Sequence, residues 1–163
     1  MKLGTKGRYA VMAMVDLANH MSANPQRGPV TLADIAERQE ISLSYLEQLF
    51  SKLRKVGLVK SVRGPGGGYV LARPAGQVRI SDIVLAVDEP LRTTRCAPES
   101  GRGRGCMADG SRCLTHDLWE ELGNQIYQFL SGVSLEDVCA RRTGTARNAL
   151  AGAAPLASSD AAQ

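Results

Sequence analysis

The chain has 163 residues, 20 Lys or Arg against 16 Asp or Glu, and four cysteines. That length can bury a core without disulfide or metal staples, so any metal is expected as a switch rather than a strut. Charge is unevenly placed: up to residue 75 there are 11 basic and 5 acidic residues, and from residue 76 onward 9 basic and 11 acidic. The basic half is where a polyanion is expected to dock.

Lys2, Lys6 and Arg8 ahead of the apolar run Ala10 to Val15 imitate the start of a secretory signal. Asp16, Asn19 and His20 cut that run short, and no apolar stretch approaches membrane-spanning length. The expectation is a cytoplasmic protein, where clustered cysteines serve as metal sites or redox sensors more often than as disulfides.

In chain order, Thr5 to Met21 reads as a helix with Val11, Met14, Val15 and Ala18 on one face, ended by the loop Asn24-Pro25 to Gly28-Pro29. Thr31 is placed to cap a short helix through Arg38, with Asp34 three residues on at the capping-box position. After a tight connection at Glu40 to Ser42, a third helix runs from Ser44 to Val56 and stops before Gly57. Leu58 to Val62 and Tyr69 to Ala72 are β-prone runs joined by Arg63-Gly64-Pro65-Gly66-Gly67-Gly68, a hairpin with a Gly-rich tip. Ser81 to Val87 reads as helix, Pro90 closes the region, and the loop from about Leu91 to Cys113 is too long for a routine connection. A long helix is expected from Thr115 to Ser131 and a short one over Ser134 to Cys139. The Ala-, Gly- and Ser-rich remainder is expected to be a disordered tail.

Two short helices joined by a tight turn and followed by a β-hairpin make a winged helix-turn-helix, whose second helix enters the DNA major groove. Helical spacing turns Leu46, Leu49, Phe50 and Leu53 inward and leaves Ser44, Glu47, Gln48, Ser51 and Lys52 or Lys55 outward. A polar face of this kind is often only solvated. The hairpin favours DNA, because its glycines permit close approach to the backbone and Arg63 suits a narrow, electronegative minor groove.

Cys96, Cys106, Cys113 and His116 supply three thiols and an imidazole from one loop. Four protein ligands complete the tetrahedral irons of a [2Fe-2S] core, giving a charge of roughly −1 when oxidised, and His116 at the start of the long helix meets a positive dipole end. A Cys3His set also suits structural zinc, and spacing alone does not separate the two. Cys139, on an apolar helical face, reads as a buried small hydrophobe.

Leu114, Leu118, Leu122, Ile126, Phe129 and Val133 recur at three- and four-residue intervals along the long helix, and Trp119 and Leu130 widen the stripe. One small domain can hardly cover that much apolar surface. Self-pairing is expected, and a two-fold dimer presents two winged helices to a pseudo-palindromic operator.

The stretches Lys6 to Val11, Leu32 to Ile35, Ile41 to Phe50, Leu53 to Lys55, Val62 to Tyr69 and Cys113 to Trp119 closely resemble those of the IscR regulators, bacterial winged-helix transcription factors that sense iron-sulfur cluster status. The resemblance implies a homodimer with a [2Fe-2S] cluster on Cys96, Cys106, Cys113 and His116, loaded by iron-sulfur cluster assembly proteins. It also implies repression of cluster-assembly genes when the cluster is present, and a second promoter class bound with or without it. Ser44, Glu47, Gln48 and Arg63 match the family's readout positions. Nine residues separate Cys96 from Cys106 and six separate Cys106 from Cys113, a wider and less even spacing than the family's.

The expected fold is mainly α, a winged helix-turn-helix DNA-binding domain with a long C-terminal dimerisation helix. Residues 1–75 form the DNA-binding domain, 76–90 a linking helix, 91–116 the cluster-binding loop, 115–142 the dimerisation and short helices, and 143–163 the tail. Expected DNA contacts are Ser44, Tyr45, Glu47, Gln48, Lys52, Lys55, Arg63, Gly64, Gly66 and Gly67. Expected dimer contacts are Leu118, Leu122, Ile126 and Phe129. Three rivals stand beside this regulator: the same fold with a zinc site, a thiol enzyme using Cys113 and His116, and a metal-free interaction module.

Overall fold

Small and apolar residues at helical spacing make α1 (Thr5–Ala23), which buries Gly7, Ala10, Ala13, Met14, Leu17 and Ala18. In this computed structural model the described residues are 4–23, 28–88 and 111–143. Within them α1 is the central strut, packed against the next three α-helices, the last α-helix and one strand. The expected loop at residues 24–27, the cysteines Cys96 and Cys106, and residues 144–163 of the expected tail lie outside the described residues.

The helix α2 (Leu32–Gln39) begins at Thr31, whose hydroxyl accepts the Asp34 N–H at 3.1 Å. It ends where Glu40 adopts φ 54° and the Ile41 N–H returns to the Ala36 carbonyl at 3.1 Å. Ser42 then caps α3 (Leu43–Lys55) by accepting the Tyr45 N–H. The tight helix-turn-helix is therefore closed by one left-handed residue and two side-chain caps. Leu46, Leu49, Phe50 and Leu53 of α3 are buried, each contributing about 1.5–3 kcal/mol of apolar burial. The N–H groups of Gly57 and Leu58 return to the carbonyls of Arg54 and Leu53, which ends the helix.

The strands β1 (Val59–Val62) and β2 (Gly68–Leu71) pair antiparallel, with Val59 opposite Leu71 and Val62 opposite Gly68. On the other edge of β2, Val30 and Tyr69 exchange backbone hydrogen bonds of 3.0 and 2.7 Å. This bridge ties the wing to the residue that enters the helix-turn-helix. Phe50 meets Tyr69 edge-on, ring centroids 5.0 Å apart, so α3 and wing also share an aromatic contact. The periodicity did not reveal a 3-10 turn at Ala75–Gln77.

Helix α4 (Ile80–Ala86) buries Ile80, Ser81, Ile83 and Val84 against the same core. The helices α5 (His116–Gly132) and α6 (Leu135–Cys139) follow, α6 opening with a capping box of Ser134 and Asp137. Where α5 passes into α6, the Ile80 N–H bonds to the Val133 carbonyl at 3.0 Å and the Leu135 N–H to the Val78 carbonyl at 2.8 Å. Val133 and Leu135 are buried beside Val78 and Ile83. The C-terminal end of α5 is thus stitched into the winged-helix core, while Leu118, Trp119, Tyr127 and Phe129 along the helix are exposed. No helix among the described residues is long and apolar enough to cross a membrane.

Candidate DNA interface and metal centre

Burial of one α3 face fixes what the other presents. Ser44, Glu47, Gln48 and Lys55 are exposed, and Ser51 and Lys52 are half-buried. Tyr45 is half-buried and packs edge-on against Tyr9 of α1, centroids 5.9 Å apart. Basic Lys52, Arg54 and Lys55 crowd the last turn, where they complement the helix dipole as well as any approaching phosphate. Arg54 Nη1 donates to Ser61 Oγ at 3.4 Å, a second link from α3 to the wing. Lys52 Nζ is ion-paired with Asp88 Oδ2 at 2.7 Å, a partner that residue types along the chain gave no reason to expect.

The wing tip is a tight turn in which the Gly67 N–H donates to the Gly64 carbonyl at 2.9 Å. Pro65 stands second and Gly66 third with φ 72°, the arrangement of a type II turn. A side chain on Gly68 would run into the Val30 carbonyl, so the Val30 bridge requires a residue without Cβ there. Arg63, Gly64 and Gly66 are exposed and Gly67 is half-buried. Glycine-rich backbone beside an exposed arginine can lie close against a phosphate or in a groove.

Of the four expected metal ligands, the structure places Cys113 and His116. They open α5 as one turn, with the His116 N–H bonded to the Cys113 carbonyl at 3.0 Å. Cys113 Sγ lies 3.6 Å from Thr115 Oγ1 and is half-exposed. The His116 side chain is 9% exposed, with Nε2 at 3.7 Å from Glu120 Oε2. Ligand atoms of His116, Asp117 and Glu120 lie within 4.8 Å of one another. Arg112 reaches Asp117 at 3.4 Å and Glu120 at 4.0 Å, balancing these carboxylates. A thiol and an imidazole delivered from one turn suit a thiophilic metal centre at a helix N-terminus.

Cys139 stands apart from that turn. Burial raises its thiol above the ordinary range, and its Sγ faces the Val15 carbonyl at 3.9 Å. Among the expected dimer residues, Leu118 and Phe129 are exposed and Leu122 and Ile126 half-buried, while Leu114 precedes the helix and is fully exposed.

The chain is 56% identical to the HTH-type transcriptional regulator IscR of Xenorhabdus nematophila over 138 residues, covering 85% of this chain and 79% of that protein. It is 57% identical to IscR of Photorhabdus laumondii over the same length and shares. Among solved structures it is similar to T. potens IscR, with TM-score 0.67 and 38% identity over 86% of this chain and 88% of that one. It is likewise similar to CymR, the global cysteine regulator of B. subtilis, with TM-score 0.67 and 32% identity over 86% and 98%. These relatives are transcription regulators rather than enzymes, which removes the thiol-enzyme reading. The Rrf2 model, described as an iron-dependent transcriptional regulator, matches residues 3–141, and the chain belongs to that family of winged-helix transcription regulators.

Proposed function

We propose that this regulator senses iron-sulfur cluster status through a [2Fe-2S] cluster held by Cys96, Cys106, Cys113 and His116. The observation that carries the reading is the Cys113 to His116 turn at the start of α5, in a chain more than half identical to proteins named IscR. The bound cluster would supply a redox-responsive anionic centre there. Cys113 and His116 would hold it from the start of α5, while Arg112 offsets the adjacent Asp117 and Glu120 carboxylates.

In the same proposal the protein is a cytoplasmic homodimer on a pseudo-palindromic DNA duplex, chiefly a repressor of cluster-assembly genes and supplied with cluster by the assembly proteins. The exposed side chains Leu118 and Phe129, with Leu122 and Ile126 beside them, form the dimer seam. Ser44, Tyr45, Glu47 and Gln48 meet the major groove, Lys52 and Lys55 the phosphates, and Arg63 with Gly64, Gly66 and Gly67 the minor groove. The test is the absorption spectrum and the iron, sulfide and zinc content of protein purified without air. Visible charge-transfer bands with about two irons and two sulfides per chain support the cluster, and a colourless protein with about one zinc overturns it.

A further inference from the structure

Asp88 lies two residues past the end of α4, and its carboxylate pairs with a lysine of α3. Its Oδ2 lies 2.7 Å from Lys52 Nζ. Lys52, with lesser help from Lys6 of α1 and Lys55 of α3, holds the Asp88 carboxyl below its ordinary range. One acid therefore stands in the field of three lysines drawn from two helices of the DNA-binding half.

An ion pair between exposed side chains is ordinarily worth little, because two long chains lose entropy in holding one geometry. Asp88 reduces that loss. Its side chain is short, its backbone is fixed at φ 57°, and its N–H is bonded to the Leu85 carbonyl at 3.1 Å. A DNA phosphate approaching Lys52 meets a carboxylate already in place, which competes for the ammonium and repels the phosphate.

We propose that Asp88 is an intramolecular competitor for the DNA backbone phosphate at Lys52, lowering the sequence-independent part of binding. The inference rests on the proposed phosphate contact of Lys52. It makes the acid after α4 a determinant of affinity through the lysine it holds. Asparagine tolerates the left-handed backbone, so Asp88→Asn removes the charge and leaves the helix end intact.

The experiment titrates full-length wild type, Asp88→Asn, Lys52→Ala and the double variant against a short mixed-sequence DNA duplex over a range of KCl concentrations. Lys52→Ala is expected to weaken binding. Asp88→Asn is expected to tighten it about two- to five-fold, the scale of an exposed ion pair, and to steepen the salt dependence by roughly one unit of slope. In the Lys52→Ala background the same change is expected to give a clearly smaller gain, because only the direct repulsion between carboxylate and phosphate is left to remove. If Asp88→Asn has no effect while Lys52→Ala weakens binding, the competitor is overturned and the Lys52 contact stands. An equal gain with and without Lys52 also overturns it, since the acid then acts through net charge. No effect of Lys52→Ala removes the phosphate contact itself and the inference with it.

Discussion

Arg38 grips Asp16 from helix to helix, Nη2 donating to Oδ2 at 2.7 Å and Nε lying within 3.2 Å of both carboxylate oxygens. Gln39 adds a bond to Oδ1 at 2.9 Å. The two partners are unequal: the Asp16 side chain is 8% exposed and that of Arg38 is 34%. The hydrogen bond to Asp16 lifts the Arg38 guanidinium above its ordinary pKa. The pair fixes the first helix of the helix-turn-helix against the central strut.

Stability should respond asymmetrically. Arg38→Ala leaves a buried carboxylate with one amide partner and should cost about 1–3 kcal/mol, below the figure for a fully buried pair because water reaches the arginine. Asp16→Asn keeps an acceptor for Gln39 and lets the arginine turn to solvent, so it should cost less. Urea unfolding midpoints of the two variants decide the matter, and a larger loss for Asp16→Asn would contradict the burial asymmetry.

The wing offers a steric prediction. Alanine at Gly68 would press its Cβ into the Val30 carbonyl oxygen and carbon and to 3.0 Å from the Thr31 nitrogen. Backbone on that side cannot yield without breaking the Val30 to Tyr69 bridge. Gly68→Ala should therefore cost about 1–3 kcal/mol, the range for overpacking, and lower DNA affinity as the wing loses its anchor. A thermal melt and a DNA titration together test it: unchanged values in both would show that the bridge does not hold the wing.

What the sequence revealed and what it hid divide by range. The apolar repeat Leu46, Leu49, Phe50 and Leu53 lies within one helix, and burial follows that pattern. Gly57 and the cap at Thr31 are local signals too, so the mainly α winged fold was legible from neighbouring residues. The Asp16 to Arg38 and Lys52 to Asp88 pairs span 22 and 36 positions, and no periodicity joins such distant residues. The same holds for the stitch of residues 78–80 to 133–135, which brings α4 and α6 into the core. At the candidate site, residue type singled out Cys113 and His116, whereas the carboxylates of Asp117 and Glu120 around the ring emerged only with helix geometry.

For the proposed cluster, each ligand completes a tetrahedral iron. Changing Cys96, Cys106, Cys113 or His116 to Ala should abolish or destabilise the visible absorption while the circular-dichroism melt of the winged helix persists. Cys139→Ala should leave the absorption intact, because its thiol is packed beside α1. Burial keeps that thiol protonated past the ordinary range, so its alkylation by iodoacetamide should be slow at neutral pH and accelerate as the pH climbs. Full cluster content in Cys106→Ala protein would remove that residue from the ligand set.

Charge and shape should separate at the DNA. Lys55 is exposed at the end of α3, among the basic residues of its last turn. Lys55→Ala should weaken all sequences about equally and flatten the salt dependence by roughly one unit of slope. Arg63, at the base of the Gly-rich turn, should instead govern discrimination through groove width. Titrating Arg63→Ala against several operators tests this, and a uniform loss would make the arginine a phosphate contact only.

Glu47 is exposed on α3 beside Gln48, with basic residues filling the last turn behind it. A carboxylate on that face can accept a hydrogen bond from the cytosine amino group, but phosphates and the acceptors on other base edges repel it. It therefore penalises sites that lack a suitable donor, a form of discrimination by repulsion. We hypothesise that cluster binding relieves this penalty at cluster-dependent promoters, as the resemblance to IscR regulators implies. Glu47→Ala should then allow cluster-free protein to bind such promoters, with a gain of about ten-fold if one unfavourable contact of 1–2 kcal/mol is removed. Parallel titrations of cluster-free Glu47→Ala and cluster-free wild type on one cluster-dependent operator measure the effect, and equal affinities would take Glu47 out of the switch.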